Sequence, residues 1–313
     1  MDPHSLTAQM LGQAPSNDAN LQRPHPPTWT RTAALPIAFD IAGGSVRGRR
    51  HEKTGANNQD AFAWHYTDST IIAVVCDGCG SSRNSEVGAK LGARMTVEAL
   101  RAWLPGLSHT PTATVLEQVR LHLLGQFGEL VKTMGNDPIK TILNYFLFTI
   151  VGAVITREKV IAFTHGDGVL AVNDGYTNLS YPDNAPPYLT YDLIRDALDP
   201  SIHDHLMFKT HWEGRPEEVR NLLIGTDGVD DFHLAADRCM PGKSEHVGPL
   251  SQFWHDDRYF TNPRGIRGCL KQVNRTVLQI DPEQKRTREE IGLLPDDTTF
   301  IVIRRKQERT QEE

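Results

Sequence analysis

The sequence has little cysteine, no long apolar run and no excess of positive charge, and each absence excludes a class of protein. Four cysteines in 313 residues do not make the framework of a disulfide-stabilised secreted domain, which favours a reducing, cytoplasmic setting. The longest apolar run, residues 145–155, is shorter than the roughly 20 residues that a membrane-spanning helix needs. A formal net charge of −6 argues against general nucleic-acid binding. We therefore expect neither a nucleic acid nor a membrane as a partner.

Composition predicts how the chain is organised. Residues 1–35 are rich in proline, asparagine, glutamine, threonine and alanine without a period, which is typical of a flexible leader. They lack the charged and apolar regions of a signal peptide. Residues 36–305 carry enough apolar sequence for one domain with a sizeable core, and residues 306–313 are expected to form a charged tail.

The spacing of apolar residues predicts the secondary structure. A period of three to four predicts helices over Ser85–Trp103, residues 116–134 and residues 266–278. Short apolar runs predict strands over residues 36–46, 61–66, 70–76, 141–156, 159–164, 169–173, 221–225 and 299–303. Residues 174–216 are expected to be irregular, and residues 231–264 to form a long surface excursion that varies in sequence.

The same pattern predicts the fold class. Several connections are too short for a parallel crossover, which predicts antiparallel neighbours. The strands are apolar on both faces, so each sheet must be covered twice. We therefore predict an α+β fold, a four-layer α-β-β-α sandwich in which helices flank two antiparallel β-sheets.

Acidic residues stand where the apolar strands begin or end. Asp77 and Asp227 each follow a strand, Asp167 lies in a Gly-Asp-Gly turn, Asp296 enters the last strand and Asp60 starts another. A single Asp-Gly is also the commonest hairpin turn and indicates nothing chemical. However, a helix follows Asp77 and an irregular segment follows Asp227, where a hairpin would require a matching strand. If these strands are neighbours, the acids meet at one edge of the sandwich.

A group of carboxylates at one edge has a definite chemistry. Like charges so close cannot all remain ionised without a cation. Sites made only of oxygen donors suit Mg²⁺ or Mn²⁺ rather than zinc. Two such ions can clamp a phosphate group and lower the pKa of a bridging water. The residues alone therefore predict a dinuclear hydrolase that acts on a phosphoester.

The order of these motifs resembles the metal-dependent protein phosphatases of the type 2C family, also called PPM. The matching stretches, in the family's order, are residues 57–62, 75–81, 166–168, 224–228 and 296–298. Each is short, but in order and at suitable spacings they are specific. With Gln59 before Asp60 and Ser81 after Gly80, the first two stretches are similar to the bacterial branch. The resemblance implies a β-sandwich flanked by helices, in agreement with the fold class predicted above.

The resemblance also implies roles for the acids. Asp77 would bridge two metal ions, Mn²⁺ or Mg²⁺, and Gly78 would offer its backbone carbonyl to the metal. Asp227 and Asp296 would complete the first metal's shell, Asp60 would lie in the second-metal region, and Asp167 matches the acid that binds a third, weaker metal in bacterial members. A metal-activated water would attack phosphorus directly. The expected substrates are phosphoserine and phosphothreonine in proteins, and a cognate Ser/Thr kinase is implied as a partner.

The binding of the substrate phosphate is where the sequence departs from the family. The family's phosphate-binding arginine usually sits five residues before the first aspartate, and this chain has Gly55 there. We expect its role to pass to His51, Arg49 or Arg50, or to Arg47. Residues 231–264 lie where the family has a variable flap, and we expect them to influence substrate choice.

Other motifs indicate other functions. Cys76 and Cys79 form a Cys-x-x-Cys pair, but a zinc site needs a second pair and Cys239 and Cys269 are not one. Residues 237–244 come close to a phosphate-binding loop but lack its first glycine. The pairs at residues 203–205 and 255–256 suggest a His-Asp metal hydrolase, although surface polar residues explain them better.

A catalytically inactive phosphatase fold that binds phosphoproteins or acts as a scaffold is an alternative of another class. Its signature is the loss of one or more metal-binding acids, and all of them are present here. The sequence therefore favours an active enzyme.

Overall fold

A computed structural model describes residues 38–173, 175–199, 206–281 and 286–306. The predicted leader, the tail beyond Lys306 and the motif at residues 203–205 lie outside these ranges. The strands are β1 (Phe39–Val46), β2 (Ala61–Tyr66), β3 (Ile71–Cys76), β4 (Ile150–Ile155), β5 (Val160–His165), β6 (Gly168–Val172), β7 (Gly175–Leu179), β8 (Lys209–Gly214), β9 (Asn221–Gly225), β10 (Val277–Asp281), β11 (Arg286–Glu290) and β12 (Thr298–Arg305). The helices are α1 (Arg49–Thr54), α2 (Ser85–Trp103), α3 (Thr112–Met134), α4 (Pro138–Tyr145), α5 (Gly228–Leu234), α6 (Gln252–His255), α7 (Arg258–Thr261) and α8 (Gly265–Val273).

Two five-stranded antiparallel sheets form the centre of the fold. One has the order β1-β12-β9-β6-β7 and the other β2-β3-β4-β5-β8, and β10 pairs with β11 in a separate hairpin. Alternate residues of β3 show why both faces of a sheet are covered. Ile72, Val74 and Cys76 pack with α2 and α3, whereas Ile71, Ala73 and Val75 pack against the other sheet. The predicted four-layer α+β sandwich is confirmed.

The outer face of the first sheet is covered by residues that were expected at the surface. Phe253 and Tyr259 are 0% and 2% exposed, and the Phe253 ring lies 4.7 Å from that of Phe300 in β12. The prediction of a surface excursion over residues 231–264 is therefore wrong. The apolar positions of this segment are spread over short helices, so they show no sustained period in the sequence.

Two predicted elements span a change of secondary structure. The strand expected over residues 141–156 is instead helix α4 followed by β4. Pro138 starts α4, and the side chain of Asp137 accepts a hydrogen bond of 3.0 Å from the backbone N–H of Lys140. The helix expected over residues 266–278 ends at Val273, and Val277 begins β10.

Short connections do not always keep neighbouring strands in one sheet. β5 pairs with β4 and β8, whereas β6 pairs with β7 and β9 in the other sheet. Gly166 and Gly168 make this crossing with φ of 91° and 141°, a region that favours glycine. The segment expected to be irregular, residues 174–216, contains β7 and β8.

Helix α2 packs closely because it carries small residues towards the sheet. A Cβ atom built on Gly92 would lie 2.3 Å from the ring of Phe148, whereas one on Gly125 of α3 would meet nothing within 4 Å. We expect Gly92→Ala to lower the free energy of unfolding by about 1–3 kcal/mol through overpacking. The matched control Gly125→Ala should raise it by about 0.5–1 kcal/mol by reducing backbone entropy in the unfolded chain.

Urea denaturation followed by circular dichroism measures both changes. Equal effects of the two substitutions would contradict this account of the contact between α2 and Phe148.

Candidate active site

The two sheets bring the predicted acids to one end of the sandwich. β3 ends directly before Asp77, β9 ends two residues before Asp227, and Asp296 lies two residues before β12. Because β9 and β12 are antiparallel neighbours, the end of one strand and the start of the other meet at the same edge. One cavity is lined by His51, Gln59, Asp77, Gly78, Cys79, Gly80, Thr149, Asp167, Asn184, Pro186, Tyr188, Asp227, Asp296 and Asp297.

Asp77 and Asp227 are the most closely linked acids of this cavity. Burial raises the pKa of Asp77 well above its ordinary value, and the nearby charges of Asp60, Asp227 and Asp167 raise it further. Burial also raises the pKa of Asp227, while its hydrogen bond with Asp77 lowers it. The two carboxyl groups therefore share a proton that resides on Asp77.

Asp60 is held beneath the cavity. It is 4% exposed, and burial followed by the charge of Asp297 raises its pKa. The hydroxyl of Thr226 donates a 2.9 Å hydrogen bond to Oδ2 of Asp60. Its other oxygen, Oδ1, is buried and accepts no hydrogen bond within the described residues. A buried carboxylate oxygen without a partner is rare, and a cation or a water held by one would satisfy it.

The acids also fit divalent cations by their chemistry. Asp60, Asp77, Asp167, Asp227 and Asp296 offer only carboxylate oxygen, the donor that Mg²⁺ and Mn²⁺ prefer. Burial first and the charge of Asp227 second raise the pKa of Asp167 to about 7. Across the part of the chain that the structure describes, no three His, Cys, Asp or Glu side chains converge tightly enough to form a ready-made metal cluster. The site is thus a cavity lined by acids rather than a preformed cage.

Asp297 is a functional neighbour that the sequence did not single out. Its carboxylate accepts hydrogen bonds of 2.6 Å from the backbone N–H of Gly48 and of Gln59, and Nδ1 of His51 lies 2.9 Å from Oδ2. It therefore fastens the segments before α1 and before Asp60 to β12. The signal was the pair Asp296-Asp297, which the sequence alone does not divide into a cavity acid and an anchor.

The basic residues before Asp60 are placed differently from one another. Arg50 lines a second acidic cavity, and its Nη1 lies 3.8 Å from Oδ2 of Asp296. His51 lines the first cavity. Arg49 lines neither of these two cavities, and Arg47 donates a 3.2 Å hydrogen bond to the carbonyl of Ala56. Arg50 and His51 are thus the basic groups that the fold brings to the acids.

The second cavity adds two acids that were not predicted. Asp230 and Asp231 line it together with Asp167, Asp227 and Asp296. Burial first, then the charges of Asp227 and Asp296, raise the pKa of Asp231 to about 6. The hydroxyl of Tyr176 donates a 2.5 Å hydrogen bond to Oδ1 of Asp230. Their signal was position in the first turn of α5, directly after Asp227-Gly228.

A segment between β7 and β8 borders the first cavity. Asn184, Pro186 and Tyr188 line it. The segment is tied to the helical layer because Arg120 in α3 forms a 2.5 Å ion pair with Asp192, and because the hydroxyl of Thr190 donates a 2.7 Å hydrogen bond to the carbonyl of Phe146. The flap role expected for residues 231–264 stays a prediction, and only its first residue, Asp231, is among the lining residues of the two acidic cavities.

The competing motifs do not form sites of their own. Cys76 and Cys79 are free thiols, with Cys76 buried in β3 and Cys79 at the rim of the acidic cavity. His255 is exposed at the end of α6. Within the described residues, the helices are too short or too polar to span a membrane.

Comparisons with known proteins identify the family. Residues 47–256 match the family described as Protein phosphatase 2C, so the chain belongs to that family, and the predicted resemblance is confirmed. Asp60, Asp77, Asp167 and Asp227 lie within the matched range, whereas Asp296 lies beyond it. No curated protein matches the chain significantly.

Solved structures agree with this assignment at the level of the fold. A variant of a bacterial serine phosphatase is 14% identical with a TM-score of 0.51, and the match covers 86% of this chain and 99% of that one. Serine/threonine phosphatase Stp1 from Staphylococcus aureus is 14% identical, with coverage of 86% and 96% and a TM-score of 0.46. The Mycobacterium tuberculosis serine/threonine phosphatase PstP/Ppp is also 14% identical, with coverage of 86% and 99% and a TM-score of 0.45.

The raised pKa values predict how stability depends on pH when no divalent cation is bound. An acid whose pKa is higher in the folded state stabilises the fold at low pH, and that stability is lost as pH rises through its folded pKa. For Asp167 the window runs from its ordinary value of 3.8 to about 7. We expect the melting temperature in EDTA to fall between pH 5 and pH 8, and Mn²⁺ to restore it at pH 8.

Asp167→Asn, which cannot ionise, should fall less steeply over this range than the native chain. Differential scanning calorimetry in buffers of constant ionic strength measures both curves. A native melting temperature that rises with pH, or the same slope in the variant, would contradict the assignment.

Proposed function

We propose that the chain is a Mn²⁺- or Mg²⁺-dependent protein phosphatase that removes phosphate from phosphoserine and phosphothreonine. The observation that carries the proposal is that strand ends from both sheets place Asp77, Asp167, Asp227 and Asp296 around one cavity. Membership of the protein phosphatase 2C family supports the same reaction. The predicted cognate kinase and cytoplasmic location follow from this activity and remain predictions.

The proposed metal ligands are the residues identified from the sequence. Asp77, the backbone carbonyl of Gly78, Asp227 and Asp296 would hold cations, with Asp60 on the side of a second ion and Asp167 at a third, weaker position. When bound, divalent cations supply positive charge to the phosphate and activate a water molecule for attack on phosphorus. The donors are oxygens, and the unpartnered Oδ1 of Asp60 is available to such an ion or to its water.

The acids would act on this chemistry by gaining and losing protons. The proton shared by Asp77 and Asp227 must leave before both carboxylates can face a cation, because like charges so close need that compensation. The hydrogen bond from Thr226 keeps Asp60 oriented while it ionises. Asp297 keeps the backbone on either side of the cavity fixed through its bonds to Gly48 and Gln59. Cation binding is therefore expected to release protons.

Arg50 and His51 are the proposed contacts for the substrate phosphate. The side chain of Arg50 is 72% exposed at the rim of the acids, so its guanidinium can turn towards an arriving phosphoryl oxygen. His51 lies inside the cavity beside Asp297, which favours its protonated form as a donor. Arg49 was predicted for the same role but lines neither acidic cavity, so we assign it no contact.

Substituting a cavity acid tests the catalytic proposal directly. Asp77→Asn and Asp227→Asn should each lower kcat with p-nitrophenyl phosphate and Mn²⁺ by at least about 100-fold, because a metal ion supplies several kcal/mol of transition-state stabilisation. The fold should remain, since the apolar residues of β3 carry the packing. Asp68→Asn in the exposed turn between β2 and β3 is the matched control and should keep full activity.

The inactive-scaffold alternative makes the opposite prediction. It requires no turnover by the native chain under any tested Mn²⁺ or Mg²⁺ concentration, together with specific binding of a phosphoserine peptide. Native turnover that persists in Asp77→Asn would instead place the chemistry elsewhere in the chain.

A further inference from the structure

A basic cavity lies at the opposite end of the sandwich from the acids. β9 starts there at Asn221 and β12 ends there at Arg305, whereas the acids lie at the other ends of the same two strands. The cavity has a volume of about 410 Å³ and is lined by Arg220, Asn221, Trp254, His255, Arg304, Arg305 and Lys306. Its size falls within the range of sites that hold small molecules.

The charge of this cavity is positive. Four of its lining residues are arginine or lysine, and the lining set includes no aspartate or glutamate. Two acids lie nearby: Asp257 is 2.5 Å from Nη2 of Arg304, and Asp40 is 3.5 Å from the same atom and 3.8 Å from Nζ of Lys306. These acids compensate only part of the positive charge, so the cavity attracts anions.

The cations of the cavity are held in place rather than free to fold away. The guanidinium of Arg304 lies 4.0 Å from the ring centre of Phe260, and that of Arg305 lies 4.6 Å from the ring centre of Phe39. Nε of Arg305 also donates a 3.1 Å hydrogen bond to the carbonyl of Val219. Cations that are already ordered lose little entropy when an anion binds.

Two lining residues carry polar atoms that have no partner. Asn221 is 6% exposed, and its buried Oδ1 makes no hydrogen bond within the described residues. The indole Nε1 of Trp254, a donor, is likewise buried without an acceptor in the same part of the chain. Buried polar groups are normally satisfied, so two exceptions around one cavity point to a ligand.

We propose that this cavity binds an organic oxyanion, a phosphate, phosphonate or carboxylate group attached to an apolar or aromatic body. The arginines and Lys306 would attract the anionic group, the indole N–H of Trp254 would donate to it, and the Trp254 ring would contact the apolar body. The site is separate from the acidic cavity, because the five residues of β9 span about 17 Å at the rise of an extended strand. It does not depend on the proposed phosphatase activity.

Phenylphosphonate is a suitable probe because it carries both parts of the predicted ligand and is not hydrolysed. The chain has five tryptophans, so its ¹⁵N-labelled form has five indole signals, and Trp254→Phe identifies the one from Trp254. Titration of the full chain with phenylphosphonate, in Mg²⁺ and at constant ionic strength, should shift the Trp254 signal saturably. Methylphosphonate should bind several-fold more weakly because it lacks the aromatic body.

Two variants test the residues. Lys306→Ala should weaken binding about ten-fold through loss of a charged donor. Asn221→Asp, which adds a negative charge at nearly the same shape, should abolish it. Lys90→Ala, an exposed lysine of α2, is the matched control and should leave the titration unchanged.

Several outcomes would overturn the proposal. They are a Trp254 shift that does not saturate, an equal shift with sodium chloride, and unchanged binding by Lys306→Ala and Asn221→Asp. Removal of residues 307–313, which include Glu308, Glu312 and Glu313, gives a further test. If that truncation shifts the Trp254 signal while phenylphosphonate does not bind to either form, the cavity is a site for the chain's own acidic segment instead.

Discussion

The repulsion between carboxylates at one end of the sandwich is the interaction on which the rest of the structure depends. Asp60, Asp77, Asp167 and Asp227 all have raised pKa values, and burial is the largest cause for each. Such an arrangement costs free energy and persists only where rigid elements impose it. The antiparallel pairing of β9 with β12 and the buried strand β3 supply that rigidity. Packing of the three apolar layers thus offsets the cost of the site.

The acids of the cavity could be predicted from the sequence because each one is local to a strand end. An apolar run followed by Asp-Gly marks Asp77 and Asp227 without any knowledge of the other strands. The anchor Asp297 could not be predicted in the same way. Its role depends on Gly48 and Gln59, which lie 249 and 238 residues away along the chain. Asp231 joins the acids only because α5 turns back over them.

The errors in the fold have the same physical origin. Residues 231–264 contribute Phe253 and Tyr259 to the core, although their short helices leave no period for the sequence to show. The crossing between β5 and β6 is as short as a hairpin, and only the pairing of each strand reveals that they lie in different sheets. Long periodic helices such as α2 were predictable because their burial follows one face.

The central claim is that the acidic cavity holds divalent cations in exchange for protons. Isothermal titration calorimetry with Mn²⁺ at pH 7, repeated in two buffers of different ionisation enthalpy, measures both quantities at once. The account predicts at least two Mn²⁺ ions per chain and a net release of protons, because the carboxyl groups of Asp77 and Asp167 lose theirs when the ions bind. Absence of Mn²⁺ binding, or binding whose heat is the same in both buffers, would contradict it.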